Sequence, residues 1–372
     1  MDIALLDTPA ALLDETRMQR AIERMQSRIT GFGLALRPHV KTAKCVEVAR
    51  RQLQAGARGI TVSTLREAEE FFAAGFDDIL YAVGLAPQRL PQVQALRRRG
   101  CDLKVVVDSL AAATAVAAQD TVPVLVEIDT DGHRAGVAPG SDELLAIGRV
   151  LHAAGALAGV MTHCGASYGC RGAAELEAMA EQERSRCVQA AQRLRAAGLP
   201  CGTVSVGSTP TALFARRLDG VTEVRAGVYV FFDLVMAGIG VCAPEDIALS
   251  VLGTVIGHQR DKGWVLVDAG WMATSRDRSA GAFDPDPGYG LVADEAGALL
   301  PGWFVAQSNQ EHGIVEHRDG AGGGIDVAQR FPVGTRLRVL PNHACATAAQ
   351  HAGYAVLRGR DVVARWPRFN GW

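Results

Sequence analysis

At 372 residues, with 48% hydrophobic and 21% charged side chains, the chain is long enough to bury a large core and too apolar to be disordered. A formal net charge of −2 leaves no basic excess to neutralise phosphates, which argues against nucleic acid as a partner. No apolar run approaches the ~20 residues of a membrane helix, and no charged segment precedes an apolar one at Met1, so a cytoplasmic protein with no membrane partner is expected.

In chain order, LLDTPAALLD reads as extended and a helix is predicted around 16–28. From about 30 to 235, eight β-rich runs alternate with Ala/Leu/Arg/Glu-rich helical segments: GLALRPHV, ARGITVST, DDILYAV, DLKVVVD, VPVLVEIDT, LAGVMTHC, GTVSVGST and EVRAGVYVF. Eight such units predict an α/β fold, a closed parallel (β/α)8 barrel of the TIM type. An open doubly wound sheet is the rival, disfavoured because no GxGxxG follows the first strand. Beyond 245, strands joined by Gly, Asp and Pro turns predict a smaller antiparallel β domain. The expected domains are 16–243 for the barrel and 244–372, with 1–15, for the β domain. The cysteines at 45, 101, 164, 170, 187, 201, 242 and 345 lack CxxC spacing and read as reduced, mostly buried thiols.

Only four of the 38 basic residues are lysines, Lys41, Lys44, Lys104 and Lys262, so a lysine here is less expected to be surface decoration. Lys41, in RPHVKTAK, closes the first barrel strand at the C-terminal mouth, where barrel enzymes keep their chemistry. Flanked by Arg37 and His39, it suits a Schiff-base amine; the structural alternative is a strand-end lysine reaching solvent. VGSTPT follows strand seven, and Gly207, Ser208 and Thr209 offer N–H groups and hydroxyls to a phosphate, or simply cap a helix. RAGVYVF places Gly227 after strand eight, with Tyr229 as a further cofactor contact. Together with the strand-one lysine, this pattern implies a phosphorylated carbonyl cofactor, pyridoxal 5'-phosphate. Arg134, after strand five, is a candidate partner for a pyridine nitrogen; His133 reads as packing. His163 and Tyr168, after strand six, are candidates to stack on or hydrogen-bond a ring, and Cys164 and Cys170 read as packing. In PNHACAT, His343 and Cys345 are two apart, so on a strand they project from one face and suit a zinc-like ion. A structural His beside a buried Cys is the alternative. Glu311 and His312, in QEHG, support that site or simply form a turn.

The segments DTPAALLD, RPHVKTAK, ITVSTLREAE, DGHRAGV, VGSTPT, RAGVYVFFD, QEHG and PNHACAT, in this order across nearly the whole chain, resemble the D-threonine aldolase/D-serine dehydratase family. This is the metal-dependent branch of the fold-type III pyridoxal phosphate enzymes related to alanine racemase; the texture is most similar to its D-threo-3-hydroxyaspartate dehydratases. The resemblance implies that Lys41 bonds the cofactor, that His343 and Cys345 hold a divalent metal (Zn, Mn, Co or Mg), and that the chain forms a homodimer. Two departures stand out: Ala43 replaces a histidine common in the family motif, and Asn309-Gln310-Glu311 stands where relatives often carry an acidic pair. A neutral pair there would lessen repulsion of a substrate's second carboxylate. The implied activity is a lyase that eliminates the β-hydroxyl of a 3-hydroxy D-amino acid, converting D-threo-3-hydroxyaspartate to oxaloacetate and ammonia, and D-serine to pyruvate. The alternative is an aldolase giving glycine and an aldehyde. A racemase is disfavoured by the metal ligands, and a cofactor-carrier protein by the β domain.

Overall fold

The computed structural model describes residues 2–119 and 122–372; Met1, the first position of the 1–15 segment assigned to the β domain, lies outside the described residues. The chain divides into two compact units, one of Ile22–Tyr229 with Gly371–Trp372, the other of the N-terminal residues through Ala21 with Val230–Asn370. Strand β1 (Ala10–Asp14) and helix α1 (Glu15–Thr30) come first. Helix α1 buries Met18, Ala21, Ile22, Met25 and Ile29, a spacing of three and four that gathers them on one face.

The larger unit continues through β2 (Ala35–Pro38), α2 (Val46–Gln54), β3 (Ile60–Val62), α3 (Leu65–Ala73), β4 (Asp78–Gly84), α4 (Leu90–Arg98) and β5 (Asp102–Val107). It is completed by α5 (Leu110–Ala117), β6 (Val124–Glu127), α6 (Asp142–Ala153), β7 (Leu157–Met161), α7 (Gly172–Ala196), β8 (Thr203–Val206), α8 (Thr209–Phe214) and β9 (Glu223–Ala226). The eight strands pair in parallel in the order β2-β9-β8-β7-β6-β5-β4-β3. Between β2 and β3 the ring meets through a single bridge, His39 to Thr61, where the Val40 N–H donates to the Thr61 carbonyl at 2.9 Å. The result is a nearly closed (β/α)8 barrel, and the open-sheet rival is excluded. Leu80, Val106, Leu125 and Met161, one each from β4 to β7, form a buried apolar cluster. The starts of the strands carry an ionic cluster instead: Arg37 donates to Glu223 at 2.9 Å and to Asp78 at 2.8 Å, and Lys104 reaches Asp78 at 2.9 Å.

The smaller unit holds α9 (Leu234–Gly238), β10 (Leu249–Gln259), β11 (Trp264–Val267), α10 (Trp271–Thr274), β12 (Leu291–Asp294), β13 (Leu299–Ser308) and β14 (Gly313–His317). After these come α11 (Val327–Arg330), β15 (Arg336–Leu340), α12 (Ala344–Ala348), β16 (Gly353–Arg358) and β17 (Asp361–Pro367). Its nine strands run β11-β14-β13-β12-β15-β10-β1-β16-β17, and β10, bent by a bulge between Val255 and Gly257, also pairs with β11. That second pairing closes part of the sheet into a barrel around Val251, Val267, Val292, Trp303, Val315 and Val339. The opening segment does join this sheet, with β1 lying antiparallel to β10 and parallel to β16. No helix among the described residues is long and apolar enough to cross a membrane.

Candidate active site

Lys41 falls in the tight turn just past β2, which the Lys44 N–H closes by donating to the Val40 carbonyl at 2.8 Å. The other lysines are engaged: Lys44 pairs with buried Glu67 at 3.1 Å, Lys104 with Asp78 and Asp102, and Lys262 lies over the Trp264 ring at 4.1 Å. Lys41 has no hydrogen bond or ion pair among the described residues, and its charge is felt by the imidazoles of His39 and His163. The expectation that Arg37 flanks this amine is corrected. Its guanidinium is committed to the acids at the start of the barrel strands, whereas the His39 imidazole feels the charge of Lys41.

Burial, reinforced by the charge of Lys41, holds both imidazoles unprotonated: His39 lies well below its ordinary range and His163 is lowered to about 3. His163 Nδ1 lies 3.2 Å from the Gly207 carbonyl, and the Tyr168 ring stands 6.2 Å away, tilted by 51°. Arg134 is exposed and reaches Glu127 at 3.5 Å, while His133 packs its ring on Gly165.

The strand-seven turn requires glycine. Gly207 has φ +130°, and a methyl group there would overlap the Arg225 carbonyl. Gly227 likewise approaches the His39 carbonyl, which leaves 3.1 Å for a Cβ. Ser208 caps α8 by accepting the Thr211 N–H, and its hydroxyl meets Ser167 at 2.9 Å. Thr209 Oγ1 accepts the Tyr229 N–H at 3.1 Å, which leaves its own O–H to donate. Tyr229 is fully buried with its hydroxyl accepting from Gln52 at 2.8 Å, so it joins the turn through its backbone.

The barrel unit thus gathers Lys41, His163, Gly207, Ser208, Thr209, Gly227 and Tyr229 at one end of its strands. His39 Nδ1 and Thr61 Oγ1, at the β2–β3 seam, are buried with no hydrogen-bond partner among the described residues. An amine without a partner, two imidazoles that stay neutral, and hydroxyls on a turn that excludes side chains fit a phosphorylated pyridine aldehyde.

In the other unit, His343 and Cys345 depart from the strand expected for them. Strand β15 ends at Leu340, His343 is the N-cap of α12, and Cys345 lies in its first turn. They meet because the helix begins between them, not through strand alternation. Sequence reading also missed Asp277, whose carboxylate lies 2.8 Å from His343 Nδ1 and is fixed in turn by the Ser279 N–H at 2.7 Å. Burial pulls the His343 imidazole down, but its bonds to Asp277 and the Cys345 thiol outweigh this and raise it to about 11. Asp277 is held well below the carboxylate range by the same bond. Buried Asp233 adds to the frame by accepting the Ala344 N–H at 3.0 Å. Among the described residues no three His, Cys, Asp or Glu side chains converge as a metal cluster. The donor set is therefore one imidazole and one thiol, with Asp277 behind the ring, and it fits a divalent ion that keeps open positions. Glu311 and His312 are exposed in the β13–β14 turn, where the Asn309 N–H donates to the His312 carbonyl at 2.8 Å.

The barrel and the β domain each match a family model: the alanine racemase N-terminal domain over residues 13–235 and the serine dehydratase domain over 248–357. The chain belongs to the alanine racemase-like family, in the branch that carries the D-serine dehydratase domain. It is 62% identical over 376 residues to the D-threo-3-hydroxyaspartate dehydratase of Delftia sp. (strain HT23), covering 99% of this chain and 98% of that one. A solved D-threo-3-hydroxyaspartate dehydratase, a cysteine-to-alanine mutant in the metal-free form, superposes with a TM-score of 0.98 at 61% identity, over 100% of both chains. The D-threonine aldolase of Arthrobacter sp. is more distant, 31% identical over 98% of this chain and 92% of that one.

Proposed function

We propose that this chain is a pyridoxal phosphate- and divalent-metal-dependent dehydratase that eliminates the β-hydroxyl of a 3-hydroxy D-amino acid. D-threo-3-hydroxyaspartate, giving oxaloacetate and ammonia, is its best substrate, and D-serine, giving pyruvate, a second one. The observation that carries this reading is the 62% identity across 99% of the chain to a protein named for that reaction. The partnerless Lys41 at the barrel mouth agrees with it.

Lys41 and the Gly207–Thr209 turn with Gly227 would hold the cofactor, and His343 with Cys345 the metal. When bound, the cofactor supplies an electron sink for charge developing at the substrate α-carbon, and the metal a Lewis acid for the departing hydroxyl. Lys41 Nζ removes the α-proton as general base. His163, neutral at working pH, adds no positive charge beside that amine and fixes the turn through the Gly207 carbonyl. The Thr209 hydroxyl and the Thr209 N–H receive the phosphate. Asp277 holds His343 Nδ1, which leaves Nε2 as the ligand.

The deciding assay supplies the loaded enzyme with D-threo-3-hydroxyaspartate, D-serine and D-threonine. Keto acid with ammonia is expected from the first two, whereas glycine with an aldehyde would establish the aldolase instead. Thr209→Ala removes one hydrogen bond to a charged group, worth about 1.5–3 kcal/mol. The cofactor dissociation constant should rise roughly tenfold or more, read by titrating the apoprotein and following absorbance. Asp277→Asn keeps the shape but loses the carboxylate behind His343, so metal affinity should fall by about 10–100-fold in competition with a chromophoric chelator. None of the eight cysteines is joined in a disulfide, which supports a reducing, cytoplasmic setting. The homodimer belongs to the same reading, and sedimentation velocity tests it.

A further inference from the structure

Helix α7 turns a regular inner face to the core, burying Leu176, Ala180, Glu183, Cys187, Ala190 and Leu194. Among these apolar neighbours Glu183 is a carboxylic acid that is 2% exposed, and so it must be compensated. Its Oε1 accepts the Cys164 N–H at 3.0 Å and the Gly207 N–H at 3.2 Å. These donors come from two different loops, the one after β7 that carries His163 and Tyr168 and the one after β8 that carries Gly207, Ser208 and Thr209. The loops are linked a second time: Ser167 Oγ donates to the Cys164 carbonyl at 2.7 Å and meets Ser208 Oγ at 2.9 Å. Thr211 Oγ1 in turn accepts the Ser208 N–H at 3.0 Å. The Gly207 peptide is thus held at both ends, its N–H by Glu183 and its carbonyl by His163.

We propose that Glu183 is a positioning residue for phosphate recognition: without touching the cofactor, its carboxylate fixes the Gly207 peptide and so sets the turn that receives the phosphate. The proposal rests on the cofactor assignment above and extends it to a residue outside the site. Gly207 at φ +130° has a wide conformational range of its own. An acceptor locking its N–H is what keeps the following turn, and the Thr209 donors on it, in one conformation.

The test titrates apoprotein with pyridoxal phosphate and, separately, with pyridoxal, which lacks the phosphate. Glu183→Met keeps side-chain bulk and removes the acceptor; Glu183→Gln keeps an oxygen that can accept the same two N–H groups. Glu183→Met should raise the pyridoxal phosphate dissociation constant about tenfold or more while moving that of pyridoxal less than about threefold, and Glu183→Gln should stay close to wild type for both. Equal weakening of both ligands by Glu183→Met, or no weakening of either, overturns the proposal. Should Glu183→Met fail to fold, Glu183→Asp serves instead, because it withdraws the carboxylate by one methylene; the same selective loss is expected and its absence is equally fatal. Failure of the wild-type apoprotein to bind pyridoxal phosphate would instead overturn the cofactor assignment.

Discussion

Stripping the divalent ion should stop ammonia release from D-threo-3-hydroxyaspartate while the colour of bound pyridoxal phosphate persists. Hydroxide is a poor leaving group at neutral pH, and His343 and Cys345, with Asp277 at 2.8 Å behind the imidazole, form a donor pair suited to a Lewis acid. An electrophile of that kind contributes several kcal/mol to the transition state, so turnover should fall by about a thousandfold or more. Adding back zinc, manganese, cobalt or magnesium should restore it. His343→Ala should behave like the stripped protein, since a lone thiol holds the ion weakly. Protein shown by elemental analysis to be metal-free, yet deaminating its substrate at the original rate, would sink the dehydratase mechanism.

Lys41→Ala should cost still more, because it removes both the covalent attachment of the cofactor and the base for the α-proton. General-base catalysis alone contributes about 10²–10⁴-fold. Borohydride reduction of the wild-type holoprotein, followed by peptide mapping, should place the label on Lys41. Lys44, only three residues on, is the instructive control, since its ammonium is committed to Glu67 at 3.1 Å. A label on Lys44, or colourless protein that takes up no cofactor, would refute the assignment.

The barrel was legible because each of its strands is a short β-rich run bounded by helical segments, and parallel pairing of consecutive strands follows from that alternation. The residues at the strand ends were legible for the same reason: Lys41, His163, Gly207 and Gly227 lie in or next to β-rich runs and stand just past the ends of β2, β7, β8 and β9. Side-chain direction was harder. Arg37 lies close to His39 and Lys41 in sequence, yet its guanidinium joins Asp78 and Glu223, acids contributed by distant strands. The geometry of His343 and Cys345 was misread because the helix that begins at Ala344 is too short to show a periodicity. Glu183 and Asp277 left no signal at all. Glu183 sits inside a long helix rich in glutamate, and its burial depends on loops that only the barrel brings to it. Asp277 meets His343 across 66 positions of chain, a separation no local pattern spans.

The placement of β1 has a bearing on how the protein is made. This strand leaves the ribosome before every other strand of its sheet, yet it lies between β10 and β16, whose residues are translated far later. Most barrel strands pair with the next one in sequence, from β3 through β9, so that unit can assemble progressively as it emerges. Strand β1 must meanwhile wait, on the order of tens of seconds at typical elongation rates, with apolar Ala11, Leu12 and Leu13 exposed. Its burial in the finished sheet makes β1 the closing piece of the smaller unit. A chain lacking residues through Asp14 would present the facing edges of β10 and β16 unpaired, and such edges invite strands from other molecules.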